Sequence, residues 1–133
     1  MKVKIKTLMI EPGKSPIIYY IEPTMKAFRD EVNKGSVLDG DIEAKRLDSN
    51  VYAIFHKDRF LTDLQPNRRL WENDIISGTI FIVATDDNKQ PVSLKDYDVH
   101  FFALKFWNAE TFDDMDVMEA NMNTMLSRLW QDV

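Results

Sequence analysis

Ile75-Ile76-Ser77-Gly78-Thr79-Ile80-Phe81-Ile82-Val83 is the most apolar stretch of this chain, and its reading decides the fold class. β-Branched residues and a phenylalanine fill it, without the polar/apolar alternation of a strand that has one wet face. Its latter half is therefore expected to be the central strand of a sheet. Outward from it, Val51 to Phe55 and Asp41 to Leu47 read as two further strands joined around the polar turn Asp48-Ser49-Asn50. Near the N-terminus, Lys2, Lys4 and Lys6 fall on one face of a strand that runs to Ile10, with Val3 and Ile5 on the other. Glu11-Pro12-Gly13-Lys14 then carries a type II turn signal, with proline at the second position and glycine where φ must be positive. Pro16 to Ile21 returns as the second strand of a hairpin.

Thr24 is the expected N-cap of a helix from Met25 to about Asn33, whose apolar face is Met25, Phe28 and Val32, with Gly35 where a helix stop belongs. Lys57 to Pro66 reads as an irregular connection containing Phe60 and Leu61. Ser93, with Asp96 three residues on, reads as a weak capping box for a second helix. That helix has two apolar stripes. Leu94, Tyr97, Phe101 and Leu104 are expected to face the sheet, and Val99, Phe102 and Phe106 lie on a different face. Thr111 is expected to cap a last helix with the stripe Phe112, Met115, Met118, Met122, Met125, Leu126 and Leu129. This last helix is expected to fold back over Val99, Phe102 and Phe106, in its own chain or by exchange within a dimer. The pattern predicts an α+β fold: a small, mainly antiparallel sheet with an N-terminal hairpin, one short helix after it, and two C-terminal helices packing on the sheet and on each other. Residues 1–109 form a single domain on this reading, and residues 110–133 an appended acidic amphipathic helix packed on it.

The chain has 133 residues, enough for one core, and 44% of them are hydrophobic. Of its 17 basic and 22 acidic residues, 16 of each precede Glu110, so the net charge of −5 resides in the C-terminal segment. A neutral body argues against duplex nucleic acid as a partner, because such binders carry a basic excess. No apolar run reaches transmembrane length and no apolar leader is present, so a cytoplasmic protein without a membrane partner, monomer or homodimer, is expected.

Catalytic patterns are missing. There is no cysteine, and His56 and His100 have no second ligand at helical spacing, so neither a metal nor a cofactor is expected. The four glycines are scattered over turns rather than gathered in a phosphate loop. Asp86-Asp87 at a strand end and Asp113-Asp114 in a helical first turn read as solvated structure. Pro66-Asn67-Arg68-Arg69-Leu70-Trp71 is the stretch with recognition character, an amide, two guanidiniums and an indole in what reads as a loop. Asn67, Arg68, Arg69 and Trp71, with Glu11, are the candidate binding residues. The competing structural reading lets Leu70 and Trp71 anchor the loop and Asn67 bond turn backbone while the arginines are solvated. Met115, Met118, Met122 and Met125 form a candidate docking or packing helix.

Ile10-Glu11-Pro12-Gly13-Lys14 with Pro16, Gly40-Asp41-Ile42-Glu43, Pro66-Asn67-Arg68, Asp74-Ile75-Ile76 and Gly78-Thr79 with Phe81-Ile82-Val83 occur in this order. So ordered, they resemble the domain-of-unknown-function family numbered 3846, small proteins of Gram-positive bacteria, their phages and conjugative elements. The resemblance runs from about Lys6 to Phe106, and the last helix follows it as an addition. It implies a phage or mobile-element setting and an accessory, host-takeover or counter-defence role. The function expected is that of a non-catalytic protein acting through protein–protein contacts. The alternatives are a nucleic-acid-associated regulator using Lys57, Arg59, Arg68 and Arg69, or a small-molecule binder with a pocket near Asn67 and Arg68.

Overall fold

A computed structural model describes residues 3–34, 40–57, 64–71 and 74–131. The elements are β1 (Ile5–Ile10), β2 (Ile17–Ile21), α1 (Met25–Val32), β3 (Ile42–Asp48), β4 (Val51–His56), β5 (Pro66–Trp71), β6 (Asp74–Ser77), β7 (Ile80–Thr85), β8 (Pro91–Val92), α2 (Asp96–Lys105) and α3 (Asp114–Gln131). The fold is α+β, and every strand pairing among the described residues is antiparallel. The main sheet has the order β2-β1-β7-β4-β3 with β8 beside β7, while β5 and β6 form a separate two-stranded ribbon. β7 is central, as its unbroken apolar run requires: Ile80, Phe81, Ile82 and Val83 are all buried.

Alternation sorts the core onto the two faces of the sheet. One face carries Leu8, Ile10, Phe55, Ile80 and Ile82 under Phe102 and Phe106 of α2 and Leu70 and Ile76 of the ribbon. The other carries Ile5, Ile21, Ile54, Phe81 and Val83 under Phe28 and Val32 of α1. Locally encoded turns form as read. Lys14 N donates to Glu11 O at 3.1 Å with Gly13 at φ 76°, and Thr24 Oγ1 accepts from Ala27 N at 3.1 Å to cap α1. Gly35, Phe60 and Leu61 lie outside the described residues.

Several expectations are corrected. Pro66 to Trp71 is strand β5 rather than a loop; its polar residues hide the strand because Asn67 and Arg68 satisfy their polar groups inside the fold. Ser93 does not cap α2. Its Oγ accepts from Lys6 N at 2.9 Å and Asp96 pairs with Lys6 Nζ at 2.7 Å, so the expected capping box instead ties α2 to β1. That ion pair holds the Asp96 carboxyl below, and the Lys6 ammonium above, its ordinary value. The α3 cap is not Thr111 but Asp113, whose Oδ1 accepts from Asp116 N at 2.7 Å while Asp116 Oδ2 accepts from Asp113 N at 3.3 Å.

The α2 stripes are exchanged relative to the expectation. Phe102 and Phe106 are buried against the sheet with Val99 packed beside them, whereas Tyr97 and Leu104 point to solvent and Phe101 is half exposed. α3 therefore does not cover Val99, Phe102 and Phe106. It lies against β6, with Ala120 buried, and Arg128 reaches Glu43 of β3 and the Lys57 carbonyl, each at 3.2 Å.

Gly78, between β6 and β7, has φ 82°, and a Cβ there would come within 2.9 Å of Leu64 Cδ1. Gly13 has a similar φ but open space around it. Gly78→Ala is thus expected to cost about 2–3 kcal/mol and Gly13→Ala about 1–2 kcal/mol, read as shifts of the urea midpoint at constant slope.

Candidate binding surfaces

The Asn67 and Arg68 side chains turn inward. Asn67 Nδ2 donates to Ile10 O at 2.7 Å and to Gly78 O at 2.8 Å, and its Oδ1 accepts from Arg68 Nη1 at 2.8 Å. Arg68 is 1% exposed. Its Nε and Nη2 donate to Phe106 O at 3.1 and 3.0 Å, and Nη2 also reaches Lys14 O at 2.6 Å. One guanidinium thereby ties the β1–β2 turn, the end of α2 and β5 together. Burial pushes its pKa down from the ordinary arginine value, and the Glu110 carboxylate opposes that shift. Phe106 closes α2, where the partial negative charge of the helix end favours a cation. Neither side chain is open to a ligand.

Arg69 is half-buried on the other side of β5. Its backbone N–H donates to Glu110 Oε2 at 2.6 Å, and its guanidinium lies 5.6 Å from the centre of the Phe112 ring. Both contacts secure the segment leading into α3. Glu11 supplies the turn carbonyl and a loose 3.9 Å ion pair with Lys14. The Trp71 side chain and Arg59 lie outside the described residues. The expected basic quartet is not assembled on one surface, since Arg68 is interior and Lys57 is exposed.

Two helix faces are left in water. On α3, Met115, Met118, Met122, Met125, Leu126 and Leu129 are between 48% and 66% exposed, opposite the face that holds Ala120. On α2, Tyr97 and Phe101 stack with ring centres 6.5 Å apart, and Leu104 and Trp107 continue the exposed apolar surface. Among the described residues no group of three or more His, Asp or Glu side chains gathers as metal ligands would, and no helix is long and apolar enough to cross a membrane.

A third feature escaped the sequence reading. A trough of about 680 Å³ opens on the α1 side of the sheet, floored by Ala44, Ile54 and Val83 and walled by Met25 and Phe28 of α1 and by Lys89 of the β7–β8 turn. Tyr52 and Thr85 also line it. Its only readable sign was numerical: one eight-residue helix stood against a whole sheet face.

The model of a family described as a domain of unknown function, DUF3846, matches residues 5–106. The chain belongs to this family. The DUF3846 match begins with β1 and ends at the Phe106 carbonyl that Arg68 holds, so it contains both sheets, α1, α2 and the trough, and leaves α3 outside. No curated protein and no solved structure gives a significant match to this DUF3846 chain.

Proposed function

We propose that this protein is a non-catalytic accessory protein, of phage or mobile-element setting as the family resemblance implies, that acts in the cytoplasm by occupying a partner protein. The observation that carries the reading is the outward methionine stripe of α3. A stripe of this kind usually covers its own domain, but here Ala120 faces β6 and the methionines face water. Unbranched thioether side chains fill irregular apolar grooves, and an amphipathic helix laid in a groove is a recurrent recognition mode. Asp114 and Glu119, both exposed, flank the stripe along α3, so the complementary partner groove is apolar with a basic rim.

The test is Met118→Asp with Met122→Asp in the full chain. Both positions are exposed, so the melting temperature should stay within about 2 °C of the parent. A partner retained by the parent from host lysate, then purified, should bind the double variant about a hundredfold more weakly. Equal binding by the two proteins, or no retained partner at all, would overturn the reading.

A further inference from the structure

The trough beside α1 stands apart from the methionine stripe of α3. The five strands β2-β1-β7-β4-β3 span roughly 20 Å at about 4.8 Å per strand, while a helix covers about 10 Å. On the opposite face α2 and the β5–β6 ribbon share the cover. On this face Phe28 and Val32 of α1 cover Ile5, Ile21, Ile54, Phe81 and Val83, and the trough opens beside Met25 and Phe28 over Ala44, Ile54 and Val83. Register places Ala44 opposite Ile54, and Tyr52 opposite Val83, so their side chains share this face with Thr85, two residues beyond Val83.

The polar groups at the trough are few and of one character. Among the described residues that line it, Lys89 is the charged side chain and none carries a carboxylate. Lys89 adopts φ 62°, a backbone state that L-residues seldom take, in a turn closed by Lys89 N donating to Asp86 O at 3.0 Å. Asp86 Oδ1 is engaged by the N–H groups of Asn88 at 2.8 Å and Gln90 at 3.0 Å. The turn sets the Lys89 ammonium 5.8 Å from the centre of the Tyr52 ring, with Nζ donating to Tyr52 Oη at 3.3 Å. Tyr52 Oη is the acceptor in that bond, which leaves its O–H directed elsewhere as a donor. Thr85 Oγ1, among the described residues, is a buried side-chain oxygen with no hydrogen-bond partner, and a buried hydroxyl in that state calls for one.

We infer that the trough binds an amphipathic organic monoanion, an apolar body with a single carboxylate. The body lies on Ala44, Ile54 and Val83 against Phe28, and the carboxylate meets the Lys89 ammonium and the Tyr52 hydroxyl. The volume falls in the range of small-molecule sites, and a mainly apolar lining with a few convergent polar groups is their usual make-up.

The experiment titrates the full chain with decanoate below its micelle concentration, with decanol and decyltrimethylammonium as neutral and cationic counterparts, following amide and methyl resonances. Decanoate should saturate with shifts at Ala44, Tyr52, Val83 and Thr85, and bind about tenfold more tightly than decanol, a usual margin for one charge-assisted contact. Lys89→Ala should remove that margin and leave decanol binding unchanged. Ala44→Trp, at an exposed strand position, should fill the trough and abolish binding of both at unchanged melting temperature. The inference fails if decyltrimethylammonium binds as well as decanoate, if the shifts map to Met118 and Met122, if Lys89→Ala changes nothing, or if millimolar decanoate leaves the spectrum unmoved. Shifts at the methionines alone would still leave α3 as an apolar docking face, so this failure and that of the proposed function are separable.

Discussion

Replacing Arg68 by alanine is expected to lower the unfolding free energy by about 3–5 kcal/mol, which corresponds to a fall in melting temperature of roughly 10–20 °C. The guanidinium bonds the carbonyls of Lys14, Asn67 and Phe106 and the amide oxygen of Asn67. Removing it strands buried acceptors, and each such loss costs about 1–3 kcal/mol. It also leaves a cavity where β5, the β1–β2 turn and the end of α2 meet. Arg68→Lys should recover only part of the loss, because a single ammonium cannot reproduce the planar fork. Arg69→Ala is the contrast. Its backbone N–H bond to Glu110 survives the substitution and its side chain is only half-buried, so a cost of about 1 kcal/mol or less is expected. Urea unfolding of the three variants measures all of this. A solvated Arg68 would instead give values near those of Arg69.

The second large effect distinguishes the two faces of α2. Phe102→Ala should destabilise by about 3–5 kcal/mol, since the ring is 2% exposed and packs with its centre 6.5 Å from that of Phe106 in the main core. Phe101→Ala and Tyr97→Ser, one residue and five residues upstream, should each stay within about 1.5 kcal/mol, because Tyr97 stands in water and Phe101 is half exposed, and what is lost is their mutual stacking and the edge-to-face contact of Phe101 with Phe102 at 5.0 Å. Differential scanning calorimetry of the three variants decides the orientation. The reverse ranking would mean that α2 presents its other face to the sheet.

The α2 result shows why part of this molecule was legible and part was not. At about 100° per residue, Tyr97, Phe101 and Leu104 lie almost opposite Val99, Phe102 and Phe106, so both sides are apolar and periodicity carries no direction. Leu94 tipped the expectation toward the first set, yet it precedes the helix, which begins at Asp96, and does not share its phase. Leu94 is indeed buried, but as an extended residue whose N–H donates to Lys6 O at 2.9 Å.

The sequence by itself determined the features whose energetics are local. Pro12-Gly13 closes its turn because φ preferences act within four residues, Thr24 caps α1 because its hydroxyl reaches an amide three residues on, and β7 is central because four consecutive apolar residues need cover on both faces. Tertiary structure decided what depends on groups distant in the chain. Asn67 and Arg68 read as a polar recognition loop because their partners, the carbonyls of Ile10, Lys14, Gly78 and Phe106, come together only when the sheet and α2 are assembled. The same holds for the methionine stripe of α3. Its amphipathicity is plain in the sequence, but which side meets the protein and which meets water follows from the surface that β6 offers to Ala120, and an amphipathic pattern encodes that two sides differ without encoding what each will touch.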